Sequence, residues 1–296
     1  MKYSKKHHSP GMKLTCMPKR LPKAMQVQAA KIAREVNPVN HAPVEHLAGV
    51  MRGFRPSPLS IALVTSKYWG TKGVKLGVKF LDSPEKALRR RILEHMNAWN
   101  ATANVKFGES VDGAEVRIAR MDGDDGGYWS YLGTDILSIA PDEPTLNLEA
   151  FTMDTPESEF VRVVRHEAGH TLGFPHEHMR RALVNRIDTA KAIKYFGLTQ
   201  GWSPAEVRAQ VLTPLEEGSL MATPEPDPDS IMCYQIPGLI TKNGEPILGG
   251  DDISKLDYEF VAQFYPQPKA KTRTLPAAES FHRSVRRAAR PRGTKV

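Results

Sequence analysis

The 296-residue sequence predicts a fold that combines helices with a sheet, of α+β or α/β class. Residues 74–80 alternate apolar and polar side chains, which is typical of a half-buried strand. Over residues 85–99, apolar side chains then recur on one helical face, and short strand patterns follow at 105–107 and 116–119. A strand, a crossover helix and further strands indicate a helix packed on a sheet.

The later elements follow the same reasoning. Short strands are predicted at 136–139 and 146–150, and start signals near 154–157 predict a helix over 158–172. Ser203 and Glu206 form a capping-box pattern that begins a short helix, and a last helix is predicted over 254–264.

Composition fits a globular protein, with 40% hydrophobic and 25% charged residues. Purely apolar runs, such as residues 61–64, are far shorter than the roughly 20 residues of a membrane-spanning helix, so we expect no membrane span. Cys16 and Cys233 are the only cysteines, so no disulfide framework is expected to hold the fold together.

The net charge of +8 is concentrated at the two ends of the chain. We interpret these ends as solvated basic tails and do not expect nucleic-acid binding. The lysine-rich first thirty residues lack the apolar core of a signal peptide, so the compartment stays open between secretion and the cytoplasm.

Three regions are predicted. Residues 1–60, rich in Lys, Pro and His with a helix-like patch at 24–36, form a basic extension and a candidate prosegment. Residues 61–268 form the folded domain, which we expect to be a monomer. Residues 269–296 form a basic tail without apolar periodicity.

A metal-binding pattern lies on the predicted helix over 158–172. His166, Glu167 and His170 form H-E-x-x-H, whose four-residue spacing places both imidazoles on one helical face, about 5 to 6 Å apart. A third histidine, His176, would lie roughly 240° further round an unbroken helix and could not join them. Gly173 and Pro175 supply the break that lets the chain turn back.

Three neutral imidazoles with one open position are typical of catalytic rather than structural zinc. We therefore predict one Zn²⁺ per chain, held by His166, His170 and His176. Glu167, next to His166 on the helix, is the predicted general base that takes a proton from a zinc-bound water.

Two motifs resemble those of a known family. Residues 166–178 read H-E-A-G-H-T-L-G-F-P-H-E-H, which resembles the zinc signature of metzincins in its astacin version. Residues 230–234 read S-I-M-C-Y and resemble the astacin Met-turn, with Cys233 in place of the usual histidine. The resemblance implies an α+β, two-lobed catalytic domain. It also implies a twisted, mostly parallel sheet with an antiparallel edge strand, an active-site helix, a Met-turn and a C-terminal helix.

The resemblance also implies roles. Met232 would form the floor beneath the zinc, Tyr234 would stabilise the oxyanion, and Glu177 would be a structural anchor. Residues 128–139 resemble the edge-strand region along which an extended substrate pairs antiparallel. The implied activity is zinc-dependent endopeptidase cleavage of protein or peptide substrates.

Other interpretations stay open at this point. The chain could be an inactive or toxin-like zinc-binding module whose basic tails bind an anionic partner, although retention of Glu167 argues against it. A distant glutamate could replace His176 as third ligand. Cys16 could act as a thiolate switch on the zinc, but its neighbours do not match the matrixin motif, so we interpret it as an ordinary thiol. We interpret Cys233 as a buried residue that binds no metal, and the aspartates at 122–125 as a surface turn rather than a calcium loop.

Overall fold

The structure, a computed structural model, describes residues 16–17, 19–40, 65–214 and 226–268. Its sheet has five strands in the order β2-β1-β3-β5-β4. Only β4 runs antiparallel to its neighbour, and the other pairings are parallel. The strands are β1 Val74–Phe80, β2 Val105–Glu109, β3 Val116–Ala119, β4 Tyr128–Ser130 and β5 Leu146–Leu148.

In the described ranges, one α-helix precedes the sheet, one lies between β1 and β2, and the others follow β5. The α-helices are α1 Lys23–Val36, α2 Lys86–Met96, α3 Glu157–Glu159, α4 Arg165–Thr171, α5 Arg181–Val184, α6 Thr189–Thr199, α7 Pro204–Val207 and α8 Lys255–Phe264. The predicted capping box at Ser203 is present, and Ser254 caps α8 in the same way. No α-helix in the described ranges is long and apolar enough to cross a membrane.

The sheet arrangement confirms the predicted fold class. The alternating residues of β1 point into the core, with Val74, Leu76, Val78 and Phe80 all buried. Helix α2 buries its apolar face, including Leu88, in the same hydrophobic cluster. A second hydrophobic cluster lies further along the chain and joins α6 and α7 to residues that follow the Met-turn.

The strand predicted at 136–139 is wrong. These residues belong to a 3₁₀ turn, Gly133–Ser138. Gly133 adopts a positive φ of +47° and lies against the Lys67 carbonyl, to which the Thr134 amide donates a hydrogen bond of 3.0 Å. The chain is anchored to residue 67 at the start of this turn, and at its end the Ile139 amide bonds to the Ile136 carbonyl at 3.3 Å instead of to a strand.

The helix predicted over 158–172 is present but not uniform. It begins at α3, passes through a π-helical turn at Phe160–Val164 and continues as α4. Insertions of this kind change which side chains face the core, and they are common next to functional sites.

The described part of the N-terminal extension lies against the domain. Asn40 is fully buried, and its amide group bonds to both the carbonyl and the N–H of Tyr68, at 2.7 and 3.0 Å. Helix α1 precedes this contact. The division into extension, domain and tail stays a prediction, because residues 41–64 and 269–296 lie outside the described ranges.

Candidate metal centre

His166 and His170 lie one turn apart on α4, and both are buried. Each ring is oriented by its Nδ1–H: His166 donates to the Ile231 carbonyl at 2.6 Å, and His170 donates to the Phe174 carbonyl at 2.8 Å. Hydrogen bonds of this type fix the tautomer and leave Nε2 as a free lone pair. Both Nε2 atoms therefore face the same point as potential metal ligands.

The chain reverses direction after α4 as the sequence predicts. Gly173 has φ +101°, a left-handed conformation that disfavours residues with a side chain. The Phe174 amide donates back to the Gly169 carbonyl at 3.0 Å, which closes the helix end. His176 therefore points back to the face that carries His166.

The three imidazoles converge. The Nε2 atom of His176 lies 3.1 Å from that of His166 and 3.0 Å from that of His170. Nitrogen ligands about 2.05 Å from a tetrahedral zinc ion would be roughly 3.3 Å apart, so these separations suit one ion. Burial lowers the pKa of His166 to about 4 and that of His170 and His176 well below the ordinary value, so the rings are neutral donors.

Cys16 corrects the sequence interpretation. Its side chain is buried, and its sulfur lies in one group with the three Nε2 atoms, all within 4.8 Å of one another. The interpretation of Cys16 as an ordinary thiol outside the site is therefore wrong. Burial raises the pKa of this thiol well above its ordinary value, so a thiolate here requires a neighbouring cation. A metal ion would supply it.

Glu167 lies beside this group with no solvent exposure, and its carboxylate oxygens make no hydrogen bond of ordinary geometry among the described residues, although the Cys16 thiol lies near enough to lower the carboxyl pKa. Burial raises the pKa of this carboxyl to about 8. An unpartnered buried carboxylate is costly, which favours a role that uses the free oxygens. Together, the donor set and this orphaned carboxylate fit a zinc site.

The Met-turn lies directly beneath α4. Met232 is buried, and Gly169 leaves the space that its sulfur occupies, because a Cβ on Gly169 would come within 2.5 Å of that sulfur and 3.0 Å of the Trp99 ring. Asp257 holds the turn from α8 by accepting hydrogen bonds from the Ser230 hydroxyl at 2.6 Å and the Ile231 amide at 2.9 Å.

We expect Gly169→Ala to lower the free energy of unfolding by about 1 to 3 kcal/mol, because the added methyl overpacks the contact between α4 and the Met-turn. Chemical denaturation of the two chains measures the difference. Gly197→Ala on α6 is the matched control, since its Cβ meets only ordinary contacts and alanine should stabilise that helix by up to about 1 kcal/mol. Equal stabilisation in both variants would contradict the close packing beneath the site.

Tyr234 reaches the site from the Met-turn. Its hydroxyl donates a hydrogen bond to the Cys16 carbonyl, and its ring lies 4.2 Å from that of His176. On the other side it stacks on His178, with centroids 4.0 Å apart and planes 16° apart. His178 is fully buried, donates from Nε2 to the Gln210 carbonyl at 3.0 Å and accepts the Tyr234 amide at 3.4 Å.

Sequence reasoning missed several residues that support the site. His178 is one, although it stands inside the quoted motif. The end of α4 is held by Trp69, whose indole donates to the Thr171 carbonyl at 2.8 Å, and by Tyr265, whose hydroxyl donates to the Leu172 carbonyl at 2.5 Å. The pattern S-x-x-D at 254–257 signals a helix start, but not the bonds of Asp257 to the Met-turn.

Other residues singled out in the sequence lie elsewhere. Cys233 is buried in the second hydrophobic cluster and is not in the histidine group. Glu177 accepts hydrogen bonds from the Arg180 side chain at 3.2 Å and the Asp227 amide at 3.0 Å, so it anchors the loop before the Met-turn. Among the described residues, the metal-binding group contains His176 and no distant glutamate. The alternative in which a glutamate replaces His176 as third ligand therefore has no support.

A mostly parallel sheet with an antiparallel edge strand, followed by a helix whose histidines converge with a third, defines the metalloprotease class. No protein-family model matches the chain. Over 92 residues it is 32% identical to the zinc metalloproteinase nas-27 of Caenorhabditis elegans, an alignment that covers 31% of this chain and 19% of the relative. The chain thus spans about a fifth of the length of this curated relative.

Solved structures of myroilysin cover far more of the chain. One is 29% identical with a TM-score of 0.63 and covers 70% of this chain and 98% of the myroilysin chain. Another is 30% identical with a TM-score of 0.50 and covers 68% of this chain and 87% of that one. The chain belongs to the astacin-like metalloproteases of the metzincin clan.

Proposed function

We propose that this chain is a zinc-dependent endopeptidase whose metal is held by His166, His170 and His176. The convergence of three neutral Nε2 atoms on one point beside the unpartnered carboxylate of Glu167 carries this conclusion. When bound, zinc would lower the pKa of a coordinated water and polarise the carbonyl of the scissile peptide bond.

Glu167 is the proposed general base. Its carboxylate is close to the metal ligands, and the Cys16 thiol is a neighbouring hydrogen-bonding group. Burial raises its pKa to about 8, although the interactions with Cys16 and Arg162 act in the opposite direction. The positive charge of a metal would lower the pKa further, so the carboxylate would be ionised and ready to accept a proton. The same group can return that proton to the leaving amine.

Tyr234 is the proposed donor to the oxyanion. It lies against His176, and its hydroxyl now donates to a backbone carbonyl, that of Cys16. A substrate carbonyl in this position would accept the same hydrogen bond. An oxyanion formed from it would accept the bond more strongly, which is the requirement for transition-state stabilisation.

Cys16 is the proposed fourth ligand, and it makes this form of the chain latent. A zinc ion with four protein ligands has no position for the reactive water. The segment that follows Cys16 also lies along β4, where Met17 donates its amide to the Tyr128 carbonyl at 2.9 Å and Lys19 donates to Ser130 at 3.1 Å. We call residues 16–17 and 19–20 the strap. They occupy the strand edge on which an extended substrate would pair antiparallel.

A purely structural zinc site is the second candidate, because four protein ligands are typical of such sites. It corresponds to the inactive binding module considered from the sequence. An unpartnered Glu167 has no role in a structural site and would only destabilise it. We therefore favour the latent peptidase.

The test is cleavage of denatured casein by the full chain and by Cys16→Ala, each with and without a zinc chelator. The latent peptidase predicts little cleavage by the parent chain and clear, chelator-sensitive cleavage by the variant. A variant that binds zinc yet cleaves nothing would favour the structural site.

Tyr234→Phe is expected to lower kcat by roughly 100-fold with little change in KM or zinc content, because one oxyanion donor is lost. The comparison is made in the Cys16→Ala chain, since Tyr234 also bonds to the strap and its loss would loosen the latent form. An unchanged kcat would remove Tyr234 from the proposed catalytic residues.

A further inference from the structure

The strap runs along the edge strand β4 in the parallel direction. Lys19 pairs with Tyr131 at the end of this edge, and its amide bonds to Ser130. The strap therefore places its side chains against the residues on and beside β4, where the side chains of a peptide bound to this edge would also lie. The contacts of the strap side chains indicate which substrate side chains these residues can bind.

The Lys19 side chain has two partners, one on β4 and one in the turn that precedes it. Its ammonium lies 3.4 Å from a carboxylate oxygen of Asp125 and 4.8 Å from the centre of the Trp129 ring. A carboxylate and an indole face both attract a cation, and the long lysine stem covers the apolar ring. The two contacts therefore suit an extended cationic side chain.

The two partners form one preformed unit. The Trp129 indole N–H donates to the Asp125 carbonyl at 3.0 Å, which fixes the ring relative to the loop. The ring is almost fully buried, at 3% exposure, whereas the Asp125 side chain is 71% exposed. We expect this apolar ring, with the accessible carboxylate beside it, to remain in place when the strap leaves.

From these contacts we infer that Asp125 and Trp129 form a substrate subsite that selects a lysine or arginine side chain. The inference rests on the proposed function, including substrate pairing along β4. Lys19 lies three positions after Cys16 of the metal group, a span of at most about 10 Å at roughly 3.3 Å per residue. In a substrate that pairs antiparallel to β4, this position lies about three residues before the scissile bond.

The subsite would give the aspartate-rich turn at 122–125 a role in binding a basic substrate side chain. Within the described part of this turn, Asp125 is the aspartate whose side chain contacts the strap, through Lys19. The exposed Asp122 side chain makes no cap hydrogen bond and provides a matched control of equal charge.

The test uses the full-length chain with Cys16→Ala and Lys19→Ala, so that neither the thiol nor the strap lysine competes with substrate. It digests a peptide library derived from a whole proteome, and mass spectrometry identifies the cleaved bonds. We expect lysine and arginine to be enriched at one position, about three residues before the scissile bond.

Further substitution of Asp125 identifies the cause. Asp125→Asn should lower kcat/KM for a peptide with lysine at that position by about two- to fivefold relative to the alanine peptide, since one exposed ion pair is removed. Asp125→Lys should shift the preference towards acidic residues. Asp122→Asn should leave the preference for lysine unchanged.

Cleavage with no basic preference at that position, or a preference that survives Asp125→Asn and Asp125→Lys, would overturn the subsite. A Cys16→Ala, Lys19→Ala chain that binds zinc but cleaves no peptide at all would instead contradict the proposed function, so the two failures are distinguishable.

Discussion

Glu167→Ala is expected to lower kcat/KM on denatured casein by roughly 100- to 10,000-fold while the chain keeps its zinc. The carboxylate is the only candidate base beside the converging imidazoles in the described part of the chain, and loss of a general base has an effect of this size. The comparison is made in the Cys16→Ala chain, with zinc per chain measured in each protein.

Two further variants test the interpretation of that result. Glu167→Gln keeps the shape of the side chain but not the base, so it should be as inactive as the alanine variant. Glu159→Gln changes a carboxylate about two turns earlier, where Glu159 pairs with Arg162 at 2.6 Å, and should remain active. Substantial activity in Glu167→Gln would show that this carboxylate is not the base.

Cys16→Ala is expected to raise the activity of the full chain by roughly tenfold or more. The variant removes the sulfur from the group of ligands and opens a position for water, while the backbone bonds of the strap to β4 remain. While most molecules have the strap bound, each 1.4 kcal/mol lost from the free energy of strap binding raises the fraction of molecules with a free site about tenfold.

Cys233→Ala is the control for this effect, since Cys233 is the other thiol and lies outside the metal-binding group. It should stay as latent as the parent chain. Equal activity in the parent chain and Cys16→Ala would contradict a latent form in which Cys16 blocks the metal.

The sequence predicts most of the sheet and the histidine group because both are local patterns. The alternation at β1 and the H-E-x-x-H spacing each depend on residues a few positions apart. Gly173 then signals where α4 must end, and its φ of +101° agrees with that prediction. These patterns can be recognised in the sequence because the residues that form them are close together both in sequence and in space.

The strap could not be predicted in this way. Tyr234 and Cys16 are in contact although 218 positions separate them, and the acceptor is a backbone carbonyl with no sequence signature. The bonds of Met17 and Lys19 to β4 likewise join main-chain atoms. Long-range contacts between backbone groups leave no periodicity in the sequence.

The wrong strand at 136–139 has a related cause. Its apolar residues satisfy a strand pattern, and Ile136 is indeed buried. The chain enters this region through the tight approach of Gly133 to Lys67, however, and continues as a 3₁₀ turn in which the Ile139 amide bonds to the Ile136 carbonyl. A short apolar run therefore indicates burial more reliably than it indicates the type of element.

The most direct measurement of the central claim is X-ray absorption at the zinc edge of the purified, tag-free full chain and of Cys16→Ala. We predict one zinc per chain, with three nitrogen ligands at about 2.0 to 2.1 Å and one sulfur at about 2.3 Å in the parent chain. In Cys16→Ala the sulfur should be replaced by a light atom while the nitrogen ligands remain. A chain without zinc, or zinc without histidine ligands, would contradict the account.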